Sequence, residues 1–167
     1  MLKFMVIGAP RSGTAWAANW LTFGAQLCLH DPLWDHHYTD FDALPHPQLG
    51  VACTGLAEFH VWVNKHACPK VILHRSPDLV NESLERMGLP AYRPELFLNL
   101  WKIRGLHVEW TQLFGEEAPA IFEHLKLGRF DEERWQMLRF LEITEKYTLR
   151  CQHPKVWARL QQERGLA

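Results

Sequence analysis

The chain lacks three features that mark specialised classes of protein. Its four cysteines form no C-x-x-C pair, which argues against a disulfide framework. No apolar run approaches the roughly 18 residues that a membrane-spanning helix requires. The 18 Lys and Arg residues nearly balance the 19 Asp and Glu residues, so there is no basic excess for binding nucleic acid. We therefore expect a cytoplasmic protein that binds neither a membrane nor a nucleic acid.

The chain does have the composition of a folded domain. With 167 residues, 47% of them hydrophobic and 22% charged, it suits one domain and excludes general disorder. Short apolar runs alternate with helical stretches, which predicts a three-layer α/β/α fold with a mostly parallel sheet. We expect one domain over 1–167, with a core at 1–115 and a helical region at 116–167. The predicted strands are 2–7, 25–29, 50–53, 70–73 and 106–110; the predicted helices are 14–23, 56–67, 78–87, 93–102, 120–126, 131–145 and 154–164.

The most informative segment is GAPRSGTAW, at positions 8–16 between the first predicted strand and helix. The first N–H groups and the dipole of a helix attract anions. Gly13 lets a phosphate approach the backbone closely, Ser12 and Thr14 add hydroxyl donors, and Arg11 adds a forked cation. The segment therefore predicts an anion site, although a tight turn with a surface arginine is a simpler alternative.

The spacing of Gly8 and Gly13 imitates the Walker A loop, G-x-x-x-x-G-K-[ST]. Thr14 and Ala15 stand where that loop has its lysine and its magnesium-binding hydroxyl. An ordinary ATP or GTP hydrolase is therefore disfavoured.

The same segment resembles a known family. Pro10 to Thr14, followed by Trp16, is similar to the 5′-phosphosulfate loop of sulfotransferases, P-[KR]-S-G-T-[TS]-[WL], with Ala15 as a departure. The resemblance implies a P-loop-type fold and 3′-phosphoadenosine 5′-phosphosulfate (PAPS) as sulfuryl donor, without a metal. It also implies a place for Trp16 near the adenine and a part in catalysis for Arg11. The residues implied to hold the 5′-phosphosulfate are Arg11, Ser12, Gly13, Thr14 and Ala15.

A second segment resembles the same family. Sulfotransferases hold the 3′-phosphate with an Arg at a strand end and a Ser eight residues later, R-[DN]-P-x-x-x-x-x-S. Arg75, Pro77 and Ser83 keep this spacing, while Ser76 replaces the usual Asp or Asn. The resemblance covers about residues 1–90, and only 127–130 (LGRF) faintly echoes the family's adenine-clamping segment.

A base is useful for taking the acceptor's proton in sulfuryl transfer. Resemblance to the tyrosylprotein branch, through Cys28, places Asp31 at the position of a catalytic Glu. His30 precedes it, and an imidazole titrates closer to neutral pH than a carboxylate. Glu58 and His60 are more distant candidates for the base. The alternative is that His30 and Asp31 only shape a turn before Pro32.

Three other patterns have mainly structural interpretations. A cluster of His and Asp side chains lacks any recurrent metal-ligand spacing, which disfavours zinc. Four tryptophans are expected in the core and Trp34 near a ligand. Glu132, Glu133 and Arg134 are interpreted as a solvated helix face. The cluster comprises His30, Asp31, Asp35, His36, His37, Asp40 and His46; the expected core tryptophans are Trp101, Trp110, Trp135 and Trp157.

We therefore expect a sulfotransferase-like protein that uses PAPS and an unknown hydroxyl or amine acceptor. Two alternatives remain: a nucleotide-dependent phosphotransferase, and a degenerate scaffold or assembly module without catalysis. The sequence leaves open whether the chain forms a homodimer.

Overall fold

The structure is a computed structural model that describes residues 1–141 and 154–163. It contains a five-stranded sheet in the order β2-β3-β1-β4-β5, with every neighbouring pair parallel. The three central strands are buried along their whole length, as short apolar runs predict for a parallel sheet. All five predicted strands are confirmed. They are β1 (Phe4–Gly8), β2 (Leu27–His30), β3 (Leu49–Cys53), β4 (Lys70–His74) and β5 (Leu106–Glu109).

The helices follow the predicted pattern with two differences. The stretch predicted as one helix at 56–67 is a 3-10 turn at Gly55–Ala57 and then a separate α-helix. The helix predicted at 131–145 ends at Arg139, and the final positions of that prediction lie outside the described residues. The helices are α1 (Thr14–Trp20), α2 (His60–Lys65), α3 (Pro77–Glu85), α4 (Pro94–Trp101), α5 (Ala118–His124), α6 (Glu132–Arg139) and α7 (Pro154–Glu163). None of the described helices is long and apolar enough to cross a membrane.

The side chains of β1 alternate between the two faces of the sheet. Phe4 and Val6 pack in a cluster with residues of α1, α5 and α6. Met5 and Ile7 pack in a second cluster with residues of α2, α3 and α4. Helices therefore cover both faces, as a parallel sheet requires. The helices α5 and α6, from the region expected to form a helical cap, lie in the same layer as α1.

The chain leaves the neighbouring strands β1 and β4 toward opposite faces of the sheet. It continues from β1 into α1 on one face and from β4 into α3 on the other. When the connections after two adjacent parallel strands run to opposite faces of the sheet, a crevice opens at the carboxyl ends of those strands. Open α/β sheets bind ligands in such crevices. The loop 9–13 and Arg75 lie at these two strand ends.

Arg134 joins α6 to the carboxyl end of α1. Its side chain is 2% exposed, which shows that its interpretation as part of a solvated face was wrong. Its guanidinium donates to the carbonyls of Asn19, Trp20 and Thr22, at 3.0, 3.5 and 2.5 Å, and pairs with Glu163 at 3.4 Å. The last carbonyls of a helix have no partner within it, so Arg134 supplies the missing donors.

Replacement of Arg134 tests this capping role. Arg134→Leu keeps an apolar stem but leaves the carbonyls of Asn19, Trp20 and Thr22 without this donor. We expect the free energy of unfolding to fall by about 3 kcal/mol, measured by urea denaturation. Arg139→Leu is the matched control on the same helix, because Arg139 is exposed. If the free energy of unfolding falls equally in the two variants, Arg134 does not cap α1.

Candidate functional site

The loop between β1 and α1 contains two residues with positive φ. Arg11 has a φ of 65° and Gly13 a φ of 88°, and the N–H of Ser12 donates to the Ala9 carbonyl at 3.2 Å. A left-handed backbone costs a residue with a Cβ about 1–2 kcal/mol. The conformation of Arg11 therefore depends on contacts that the rest of the fold supplies.

Both predicted phosphate motifs meet at Arg11. Its Nε donates to the Ser83 hydroxyl at 3.1 Å, and its carbonyl accepts a hydrogen bond from Nη1 of Arg75. Arg75 directly follows β4, and Ser83 is a buried residue of α3. The fold thus brings Arg75 and Ser83 into direct contact with the loop, as their order after a core strand predicts.

The site carries positive charge and unused hydrogen-bond donors. Partial burial lowers the pKa of Arg75, and the cations of Arg11 and Arg86 lower it further. Nε of Arg75 and Oγ of Ser12 are buried and have no hydrogen-bond partner among the described residues. Such an unsatisfied buried group costs about 1–3 kcal/mol. A bound anion would relieve both costs, because it would accept from the donors and offset the clustered charge.

Trp110 is a site residue that the sequence did not identify. The Arg75 guanidinium lies 4.6 Å from the centre of the Trp110 ring, and Trp110 is half-buried. The prediction of a core position for Trp110 is wrong, because it follows the edge strand β5 and supports the arginine. No motif in the sequence links these two residues, which are brought together only by pairing of β4 with β5.

The structure also corrects the expectation for Trp16. This side chain is 4% exposed, and its indole N–H donates to the Leu138 carbonyl at 3.0 Å. Its ring centre lies 4.6 Å from that of Phe114. Trp16 is therefore a core residue that joins α1 to α6, and its burial leaves no face for the adenine contact that the resemblance implied. Its neighbours Thr14 and Ala15 are buried and half-buried, respectively.

The remaining tryptophans show how far pattern alone predicts burial. Trp135 is 5% exposed, which confirms its core position. Trp101 is 64% exposed, so its predicted core position is wrong. Its ring stacks on that of His74, with 3.8 Å between the ring centres. Trp34 is 88% exposed, and the side chain of Trp157 lies outside the described residues.

His30 lies beside the loop. Its Nε2 is 3.3 Å from the hydroxyl of Thr14 and 3.3 Å from Oδ2 of Asp31. The His30 side chain is 7% exposed and that of Asp31 is 17% exposed. Thr14 is the first residue of α1, so this contact connects the end of β2 to the start of α1, directly after the loop. Of the two predicted bases, His30 is therefore the one with a hydrogen bond to Thr14.

The Asp31 carboxylate is held by Thr54, which directly follows β3. Its Oδ1 accepts from the backbone N–H of Thr54 at 2.6 Å and from the Thr54 hydroxyl at 3.0 Å. Its φ of 42° is left-handed, a conformation that Asp tolerates better than most residues. Burial raises the pKa of the nearby Cys53 thiol well above its usual range, and the Asp31 carboxylate raises it further. Cys53 is therefore unsuited to act as a nucleophile, while Thr54 positions Asp31.

Within residues 1–141 and 154–163, no group of three or more His, Cys, Asp or Glu side chains is arranged to hold a metal ion. Comparison with protein-family models, with curated proteins and with solved structures found no match to the chain.

Gly13→Ala tests the loop conformation. A Cβ at Gly13 would combine positive φ with a contact of 3.2 Å to Leu113. A Cβ at Gly128 would have a similar φ of 91° but nothing within 4 Å. We expect the free energy of unfolding, measured by urea denaturation, to fall by about 1 kcal/mol in Gly128→Ala and by about 2 kcal/mol in Gly13→Ala. A Gly13→Ala loss no larger than the control's would contradict the close approach to Leu113.

Proposed function

We propose that the chain is a PAPS-dependent sulfotransferase with a P-loop-type fold, which transfers a sulfuryl group to a hydroxyl or amine acceptor. The observation that carries this proposal is the hydrogen-bonded chain from Arg75 through Arg11 to Ser83. Two motifs that resemble the two anion-binding segments of one family converge at adjacent strand ends. A donor with phosphate groups at both its 5′ and 3′ positions requires such a pair of sites.

The residues present fit this donor better than they fit ATP with magnesium. Arginines and hydroxyl groups suit phosphate and sulfate oxygens, and Ser12 and Arg75 both offer donors that no described residue satisfies. The Walker A lysine is replaced by Thr14, which is engaged with His30. The set proposed to hold the donor is Arg11, Ser12, Gly13, Thr14 and the backbone of Ala15 for the 5′-phosphosulfate, with Arg75 and Ser83 for the 3′-phosphate.

The proposed reaction breaks the bond between sulfur and the phosphate oxygen of the donor and forms a bond between sulfur and the acceptor atom. The products are the sulfated acceptor and adenosine 3′,5′-bisphosphate. Since the leaving group is already good, positioning and charge neutralisation contribute most. Arg11 stabilises negative charge at the transferred group. His30 takes the acceptor's proton, and Asp31 orients His30 from its fixed position against Thr54.

Titration with adenosine 3′,5′-bisphosphate tests the binding site. We expect calorimetric binding to weaken about tenfold or more in Arg75→Ala and about threefold to tenfold in Ser83→Ala, since each removes donors to a charged group. Arg104→Ala is the matched control, because Arg104 is exposed and precedes β5 at the amino edge of the sheet. It should bind as the wild type does.

The same titration separates the alternatives. If ATP binds in the presence of magnesium and displaces the bisphosphate, the protein is a phosphotransferase and this proposal is wrong. No binding of either nucleotide by the folded wild-type protein would point to a scaffold. If Arg75→Ala and Arg104→Ala change the affinity for the bisphosphate equally, the assignment of the binding site to Arg75 is wrong.

His30→Gln tests the proton-accepting role. Glutamine can still hydrogen-bond to Thr14 but cannot act as a base, so we expect turnover to fall about 100-fold. The affinity for the bisphosphate should stay within about twofold of the wild type. Turnover is measured as release of bisphosphate from PAPS across a panel of phenols, alcohols and amines. If turnover is unchanged in His30→Gln and falls strongly in Asp31→Asn, Asp31 and not His30 is the base.

A further inference from the structure

A cavity of about 290 Å³ lies at the carboxyl end of α1, with Trp20, Phe23 and Gly24 in its lining. The loop 9–13 precedes the opposite end of this helix, about 10 Å away along the helix axis. The cavity is therefore separate from the crevice between β1 and β4. Its volume lies just below the range of about 300–1,000 Å³ that is usual for drug-sized ligands, so it suits a smaller molecule.

Aromatic side chains form the floor of the cavity. The half-buried Phe23 packs against Phe122 with a ring separation of 5.7 Å, and Trp20 packs against the same ring at 5.7 Å. Trp20 and Phe122 are almost fully buried, so their positions are fixed. The guanidinium of Arg134 lies 6.0 Å from the centre of the Phe23 ring. Phe23 thus offers a flat ring on a rigid support, which suits a planar group.

Two arginines and both acidic groups in the cavity wall are already paired. Arg159 contacts Asp131 and Glu163 at 3.3 Å each, and Arg134 contacts Glu163 and the carbonyls of α1. The backbone N–H of Gly24 also donates to Glu163, at 3.0 Å. The carboxylates are consequently neutralised by protein groups, so the described residues of the wall offer no unused negative charge to a cationic ligand.

Arg129 supplies the remaining cation. Its side chain is exposed, and it forms no hydrogen bond or ion pair with the part of the chain that the structure describes. Lys126 and Gly128 have positive φ values of 58° and 91°, so a tight turn brings Arg129 to the cavity that its side chain lines. The segment 127–130, which faintly echoes an adenine clamp, therefore lies at the far end of α1 from the loop 9–13.

We propose that this cavity binds a small aromatic carboxylate, whose ring lies on Phe23 and whose carboxylate pairs with Arg129. The aromatic floor selects a planar apolar group. Arg159 pairs with Glu133 as well as with Asp131 and Glu163, and Arg134 pairs with Glu163, so Arg129 is the arginine of the wall that no described carboxylate neutralises. This unpaired cation selects a single anionic group. The forked guanidinium of Arg129 matches a carboxylate in two parallel hydrogen bonds.

Calorimetric titration of the full chain with phenylacetate tests this site, with phenylacetamide as the neutral probe of the same shape. We expect phenylacetate to bind at least fivefold more tightly than the amide. Arg129→Gln should weaken phenylacetate binding about fivefold and remove the preference over the amide, as loss of a partly solvated ion pair implies. Arg104→Gln, which removes an exposed arginine elsewhere, should have no effect.

A second variant tests the floor without removing a core side chain. Phe23→Leu keeps the apolar volume but removes the flat ring, so it should weaken phenylacetate and phenylacetamide to the same degree. Thermal unfolding establishes that each variant is folded. The proposal is overturned if phenylacetate does not bind, if Arg129→Gln binds it as the wild type does, or if Arg75→Ala abolishes its binding. The last result would place phenylacetate in the phosphate crevice.

Discussion

The hydrogen bond from Arg75 to the carbonyl of Arg11 connects the parts of this molecule on which the proposed chemistry depends. It fixes the loop after β1 to the end of β4, and it coincides with a left-handed backbone at Arg11. The side chain of Arg11 then reaches Ser83 on α3. Two positively charged groups are held near each other, which is costly unless an anion is shared between them. This cost is the physical reason for regarding the crevice as a binding site.

The strands and their layers could be predicted because they depend on local pattern. Short apolar runs bounded by glycine or proline indicate strands that are covered on both faces. The meeting of Arg75 with the loop could also be anticipated, since parallel strands place their carboxyl ends at one edge of the sheet. The positions of Arg11, Ser12, His30 and Arg75 at this edge follow from that rule.

Other contacts could not be predicted because they depend on packing between distant segments. Arg134 has the sequence context of a solvated helix face, yet its buried guanidinium caps α1. Trp16 is in a motif typical of a ligand site, yet its indole is used within the core. Trp101 and Trp110 lie on similar apolar stretches as Trp135, and only tertiary structure shows that Trp135 alone of the three is fully enclosed.

The position of β1 in the middle of the sheet determines when its hydrogen bonds can form during synthesis. Its partners are β3 and β4, and Met5 pairs with both Val51 and Lys70. The first strand therefore leaves the ribosome long before either neighbour, and its backbone groups are not fully paired until the fourth strand follows. Such non-local pairing favours slow folding and exposes the nascent chain to aggregation. Chaperone dependence should therefore be greatest for nascent chains that end before His74.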